Sequence, residues 1–502
     1  MQTWKAMNKM RLSNPATIVL PSNSEEVQRF LTFTDRSVQY QMKKLRDNYR
    51  WRNSDSEGFT RRMEELKSQL KRTLIFNDTE TGEPCTYSGL WKDLNDRFGW
   101  ELKSANYDYS KARILPWATV PPKMRDYQQE AVEALIKAQH GAIALPTGSG
   151  KSLVLINITK EIPVQTVVAT PSKTITNQLY DDYVKYFGKK FVGKYGSGKK
   201  DLGKLFTIAT AQALTRIEPE TEEYEFFSKT KMLMFDESHT CPAETFEKVC
   251  LGVLKDAPLR FFVSATQVRG DGSELLLRGI TGPIVYSKDF KELVELGWLA
   301  RPYFKIFNVP TNGFAGNPNI DTETRNQLYL NPNVNKLAAE FAFKAVTLAG
   351  RQTVILIEEF RQFMALKNYI TIPFEFVHGG AADREDANGN SLRDYLPKEY
   401  WKCDVEASVA RFNSGECKLL IGTSAISTGV DLRPVGCLIY LQGGKSEVKV
   451  KQAIGRGTRV TDTKKDVIIV DFRVEGSPSM ERHLDERIGI YETLGEVQEI
   501  KV

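Results

Sequence analysis

From about Gly141 to Arg301, short apolar runs alternate with amphipathic stretches: "GAIAL", "TVVAT", "LFTIAT", "KMLMFDE" and "RFFVSAT". Each is brief, mostly β-branched or aromatic, and followed by a loop and usually a helical pattern. Strands apolar on both faces lie inside parallel sheets, and their alternation with helices predicts βαβ units. After a polar interval, Thr311–Asn333, the rhythm returns as "TVILI", "FEFVHG", "KLLIGTS", "CLIYLQ" and "DVIIVDF". The pattern predicts an α/β protein with two parallel-sheet domains in tandem, over 119–300 and 301–475. A helical tail is expected over 476–502. Residues 1–118 lack the strand rhythm. There, Ser54–Leu74 suggests a charged helix, and "TLIFNDTETGEPCTYSGLWKDLNDRFGWEL" a hairpin followed by a helix, so a separate small α+β module is expected. The stretch from Gly380 to Ala410 is longer than a usual connection and predicts an inserted loop or small helix.

Composition narrows the class. The chain has 502 residues, 41% apolar and 26% charged, enough for several globular cores. No run of about 18 apolar residues occurs, so no membrane span is expected. The first residues lack the apolar core of a signal peptide, which points to a cytoplasmic protein. Six cysteines without C-x-x-C spacing and four histidines far apart argue for buried thiols rather than a metal cage. The net charge of +6 is mild, but cations bunch in "KKLRDNYRWR" (Lys43–Arg52) around Tyr49 and Trp51. Lys43, Lys44 and Arg50 there suit a phosphate backbone, with the rings suited to exposed bases. A solvated helix face explains the same letters equally well.

Two segments compete as a phosphate-binding loop. "GKYGSGKK" (Gly193–Lys200) matches the start of G-x-x-x-x-G-K, whereas "LPTGSGKS" (Leu145–Ser152) has Leu145 where the first glycine belongs. Such a loop needs a strand leading in, a turn that aims N–H groups inward, and a helix whose N-terminus faces the anion. Only the second has all three. Pro146, Thr147, Gly148, Ser149 and Gly150 form its turn, Lys151 supplies the ammonium, and Ser152 the hydroxyl for Mg²⁺. Lys200 occupies that last position in the other loop, which is expected to be a surface turn between strands. "FDESH" (Phe235–His239) then ends an apolar strand with Asp236, suited to hold Mg²⁺, and Glu237, suited to activate water.

"RDYQQEA", "LPTGSGKS", "VVATPSKTITNQL", "TIATAQAL", "DESH", "VSAT", "IGTSAISTGVDL" and "QAIGRGTR" resemble, in order, the motif series of superfamily 2 helicases over Pro121–Phe472. The resemblance implies two RecA-like domains that bind ATP and Mg²⁺. It assigns Gln128, with Arg125 nearby, to the adenine. Lys151 goes to the β and γ phosphates. His239, Ser264 and Thr266 link the ATP site to the nucleic-acid groove, and Gly429 and Asp431 couple the domains. Gln452, Arg456 and Arg459, spaced by four and three, share a helix face that in this family looks toward the γ-phosphate. Thr170, Ser172, Thr210 and Thr423 fit backbone-phosphate contacts, although each could simply cap a helix.

DESH in place of D-E-A-D, "RGTR", and "SATQVRGDG" resemble DNA-directed members. These include restriction motors, excision-repair helicases and phage branch-migration helicases (UvsW-like). Gln267 departs from the proline that usually follows S-A-T. The resemblance implies a monomeric, ATP-dependent helicase acting on forked or branched DNA with 3′-to-5′ movement. Three alternatives remain open: a duplex translocase that separates no strands, an RNA helicase, and a nucleotide-switched binding protein.

Overall fold

The computed structural model describes residues 9–47, 56–103, 106–112, 114–265, 273–379, 396–423, 426, 432, 434–460 and 464–501, apart from the side chains of His239, Val448 and Arg456. The chain divides into two compact units, Met1–Leu145 with Gly150–Ser287, and Lys288–Val502 with the short segment Pro146–Ser149.

The first unit opens with a five-stranded sheet of β1 (Lys9–Asn14), β2 (Thr17–Val19), β3 (Phe76–Asn77), β4 (Pro84–Tyr87) and β5 (Glu101–Lys103), in the order β3-β4-β2-β1-β5. Two helices, α1 (Arg36–Asp47) and α2 (Ser56–Gln69), rise between β2 and β3 around a small core of their own. On α1 the buried residues are Val38, Met42 and Leu45, four and three apart, which leaves Lys43 and Lys44 exposed on the polar face. After β4 comes α3 (Trp91–Phe98), closed by Gly99 in the left-handed region.

The main sheet follows. Its elements are α4 (Asp126–Ala138), β6 (His140–Ala144), α5 (Lys151–Glu161), β7 (Thr166–Thr170), α6 (Lys173–Phe187), β8 (Val192–Gly196), β9 (Lys199–Lys200), β10 (Phe206–Thr210), β11 (Met232–Asp236), α7 (Ala243–Leu251), β12 (Leu259–Ser264), α8 (Glu274–Thr281) and β13 (Ile284–Ser287). The order is β9-β8-β10-β7-β11-β12-β6-β13, parallel except for the β8–β9 hairpin at one edge. The five apolar runs expected as strands are β6, β7, β10, β11 and β12. The edge strands β8 and β13 carry too little apolar signal to stand out.

The small N-terminal sheet shares an apolar core with the main lobe. Ile18, Tyr87 and Leu94 lie in the same apolar cluster as Phe235, Phe246 and Leu276 of the main lobe. Arg72 and the Tyr87 hydroxyl both bind the Glu247 carboxylate on α7, and Arg278 on α8 reaches Asp93 at 3.1 Å. Gly89 passes so close to α8 that a β-carbon there would stand 2.5 Å from the Gly279 carbonyl oxygen. Sequence pattern marked the change of rhythm but not this shared core.

The second unit contains β14 (Arg301–Pro310), a π-helical turn (Arg325–Tyr329), α9 (Pro332–Thr347), β15 (Gln352–Leu356), α10 (Phe360–Lys367), β16 (Glu375–Val377), α11 (Val405–Ser414), β17 (Leu419–Gly422), β18 (Val435–Tyr440), α12 (Glu447–Gly457), β19 (Asp466–Glu475), α13 (Pro478–Glu492) and β20 (Glu496–Lys501). Its seven strands are all parallel, in the order β16-β17-β15-β18-β19-β14-β20. The expected helical tail needs correction here. Residues 478–492 are helical, but Glu496–Lys501 pairs with β14 and completes the sheet. Alternating charges in "EVQEIK" hid an edge strand that is half solvated. Most of the 380–410 insertion lies outside the described residues, and α11 begins within its end. Among the described residues no helix is long and apolar enough to cross a membrane.

His140 opens β6 with its Nε2 3.0 Å from the Ile280 carbonyl oxygen and its ring beside Phe262. Burial, then the charge of Arg260, lowers its pKa from 6.5 to about 4. Above the higher value the ring is neutral folded or unfolded. Below it the unfolded chain takes up a proton that the fold refuses, so stability falls between those two pH values. Denaturant unfolding at about pH 7 and about pH 4.5 should therefore show a smaller acid-induced loss in His140→Phe than in the parent.

Candidate functional site

Strand order brings distant residues together. β11, β12 and β6 are adjacent, so Asp236, Ser264 and Leu145 come to the same carboxyl edge of the sheet. Leu145 donates its N–H to the Ser264 carbonyl at 2.9 Å, which closes that edge below the loop. Gly148 and Gly150 then turn the chain at φ 89° and 82°, values that L side chains rarely adopt. The Ser149 N–H bonds to the Pro146 carbonyl at 3.2 Å, and Gly150 leads directly into α5. Ser152 is in the first turn of that helix.

Gln128 abuts this loop. Its Oε1 accepts the Arg125 N–H at 2.9 Å, and Arg125 Nη1 donates to the Tyr127 hydroxyl at 3.1 Å. A β-carbon on Gly150 would stand 2.5 Å from Gln128 Nε2, so the amide end rests on the glycine.

Lys151 is only 7% exposed. Its Nζ donates to the Leu145 carbonyl at 3.4 Å and meets Glu237 Oε1 at 3.0 Å. Asp236, the last residue of β11, is 6% exposed, and its Oδ1 has no hydrogen-bond partner among the described residues. Burial, then the Glu237 charge, raises the Asp236 carboxyl to about 7, against the lowering effect of Lys151. Glu237 itself takes the left-handed conformation at φ 50°, a strain tolerated mainly where a side chain must be aimed. A buried carboxylate and a half-buried one thus share one ammonium. An orphaned, buried carboxylate oxygen fits a hard divalent cation that takes oxygen ligands, such as Mg²⁺.

The rival segment Gly193–Lys200 forms the β8–β9 hairpin. Its turn uses Ser197 at φ 55° and Gly198 at φ 81°, and Lys200 pairs with Glu223 at 2.9 Å. No helix follows it directly, as the phosphate-loop criteria require.

Other predicted residues divide unevenly. The Thr170 side chain is fully buried, with its hydroxyl 2.5 Å from that of Thr176, so it joins strand to helix. Ser172 caps α6 by accepting the Ile175 N–H, Thr210 is buried against Gly196, and Thr423 is buried just past the end of β17. Gln452 is on α12, but that helix ends at Gly457, so Arg459 does not continue its face. It bridges Leu299 instead, two residues past the helix. The spacing was helical in sequence, and Thr458 ends the helix before it reaches Arg459. Arg50, Thr266, Gly429, Asp431 and the side chains of His239 and Arg456 lie outside the described residues.

Two family models match the chain: "Type III restriction enzyme, res subunit" over 121–269 and "Helicase conserved C-terminal domain" over 343–461. Together they take in more than half of it. The chain belongs to superfamily 2 of the helicases. Among similar proteins, the "DNA 3'-5' translocase XPB2" of Sulfurisphaera tokodaii is 26% identical over 391 residues, covering 72% of this chain and 84% of the relative. A fragment of a putative HsdR subunit of a type I restriction enzyme from Vibrio vulnificus matches 85% of the chain and 78% of its own length, with TM-score 0.53 and 18% identity. UvsW of bacteriophage T4 aligns over 98% of this chain and 99% of its own, with TM-score 0.41 and 16% identity.

The Gly148–Gly150 turn, expected from the sequence to cradle phosphate, has a geometry that can be tested. Gly150→Ala adds a left-handed penalty of about 1–2 kcal/mol and drives a methyl group into Gln128. Titration with a fluorescent ATP analogue should show affinity at least about tenfold weaker than in the parent.

Proposed function

We propose that the chain is an ATP-driven DNA motor that advances along DNA and separates or branch-migrates strands at forks and junctions. The observation that carries this reading is the Lys151–Glu237–Asp236 cluster behind the Gly148–Gly150 turn, with one Asp236 oxygen left unpartnered. Asp236 and the Ser152 hydroxyl would hold Mg²⁺, and Lys151 the β and γ phosphates. When bound, Mg²⁺·ATP supplies the anhydride bond whose cleavage drives the cycle. Lys151 would leave Glu237 for the phosphates, freeing a carboxylate able to orient water and accept its proton. Gln128 and Arg125 would contact the base. Gln452, Arg456 and Arg459 would contribute to hydrolysis, and arginines of this kind are worth roughly 10³–10⁵ in rate in other nucleotide hydrolases.

DNA as substrate is supported by the restriction-enzyme family model and by the relative named as a DNA translocase. Charge placement supports contact at the N-terminal sheet. Between Leu31 and Leu74, eleven Lys and Arg stand against six Asp and Glu, which accounts for most of the chain's +6. α1 exposes Lys43 and Lys44 within that stretch. We assign it to the duplex at a branch, where each lost phosphate contact lowers the salt slope of binding by about 0.9.

A second reading, translocation on duplex without strand separation, is favoured by the likeness to a restriction subunit and to a protein named a translocase. Triplex displacement run beside fork unwinding separates the two, because a pure translocase strips the third strand and leaves forks intact. RNA in place of DNA as the better activator of turnover would overturn both.

Lys151→Ala should abolish DNA-stimulated ATP hydrolysis while leaving the circular dichroism spectrum unchanged; normal turnover would contradict the assignment. Lys43→Glu with Lys44→Glu should lower the salt slope of junction binding by roughly 2 and leave DNA-independent ATPase unaffected.

A further inference from the structure

The segment "LQGGKS" connects β18 to α12, and connecting loops usually leave their carbonyls to water. Here four consecutive carbonyls are each taken by a different buried side chain. Leu441 O accepts from Gln362 Nε2 at 2.8 Å, and Gln442 O from the Tyr329 hydroxyl at 2.8 Å. Gly443 O accepts from the Tyr440 hydroxyl at 3.0 Å, and Gly444 O from Arg487 Nη1 at 2.6 Å.

The donors come from α10, the π-helical turn, β18 and α13, so four separate elements converge on one short stretch. All four are at most 7% exposed. A π-helical turn is uncommon, and this one places Tyr329. Gly443 and Gly444 both take positive φ, 65° and 73°, which lets the backbone present its carbonyls in this way. Arg487 is itself fixed: its Nε and Nη2 meet both oxygens of Asp471 at 2.7 and 3.0 Å. At the far end of the helix Lys464 Nζ donates to the carbonyls of Gly457 and Arg459. The loop leading into α12 is therefore held by buried donors, and its last turn by the half-buried Lys464.

Core packing alone does not call for this arrangement, since water could satisfy a surface loop at less cost in ordering. We infer that Gln362, Tyr329, Tyr440 and Arg487 form a mount that sets the attitude of α12, and that they are positioning residues for hydrolysis. The inference rests on the reading of α12 and Arg459 as the second unit's hydrolytic contribution. A mount of this kind contributes when the helix must hold its angle while the nucleotide reacts. It has no part in binding the nucleotide itself.

The test is the double variant Tyr329→Phe, Tyr440→Phe, which deletes two hydroxyls and keeps both rings. Expected is a ten- to a hundredfold fall, roughly, in kcat for DNA-stimulated ATP hydrolysis, the cost of a small misplacement. KM for ATP and the melting temperature should stay close to those of the parent. A kcat within about twofold of the parent, or a loss that only tracks a fall in melting temperature, would overturn the mount. If the double variant does not fold, Arg487→Lys carries the same test, because it keeps a cation against Asp471 and gives up the reach to Gly444. Lys151→Ala run in parallel separates the two ideas. An active Lys151→Ala sinks the nucleotide-site reading, whereas an inactive one beside a fully active Tyr329→Phe, Tyr440→Phe protein sinks the mount alone.

Discussion

The chemistry of this protein depends on a charge imbalance held out of water. Asp236 ends one strand and Glu237 follows it, Lys151 begins a helix near them, and the two carboxylates face a single ammonium with little solvent to screen them. A buried group without enough counter-charge must neutralise, move or recruit an ion. The carboxyl of Asp236, raised to about 7, records that pressure. Such a site is poor as a structural ion pair. It is well suited to take up a cation and to release a base when the ammonium goes elsewhere.

Topology makes the imbalance possible. The loop after β6 and the acidic pair after β11 are far apart in sequence and would not meet in a meander. They meet because β12 lies between their strands in an all-parallel stretch, which delivers every strand's carboxyl end to one edge. The N-terminal sheet is held by the helices that follow this edge. Tyr87 and Arg72 bind Glu247 on α7, which follows the acidic motif, and Asp93 takes Arg278 on α8, which follows β12. The N-terminal sheet is thus anchored to the elements that follow the acidic motif and β12.

Much of this was legible in the chain. Ten apolar runs mark ten of the sheet strands because parallel strands are apolar on both faces. The choice of Leu145–Ser152 over Gly193–Lys200 follows from what precedes and follows each loop. The remainder needed coordinates for physical reasons. Edge strands such as β20 carry half a pattern. The bond between the Thr170 and Thr176 hydroxyls shows only in space. Arg459 keeps helical spacing after the helix has stopped. The mount at Leu441–Gly444 is invisible in sequence because its donors are scattered from Tyr329 to Arg487 and its acceptors are backbone atoms, which every residue has.

The two units bury charge in opposite ways, and the contrast separates scaffold from chemistry. Asp471 accepts four bonds: from the Phe472 N–H, from Arg487 twice, and from the Tyr491 hydroxyl. Burial, the largest single influence, lowers the Arg487 pKa, but the Asp471 charge and hydrogen bond together with Tyr491 and Tyr440 outweigh it and hold the guanidinium above its ordinary value. That pair is balanced and saturated, so it has nothing left to offer a ligand, and any movement would break several bonds at once. Around Asp236 the balance is deliberately incomplete in the physical sense: one oxygen remains without a partner and one lysine serves two acids. A rigid, satisfied network is what a helix that must hold its angle requires. An unsatisfied one is what a site that must exchange an ion and a proton requires.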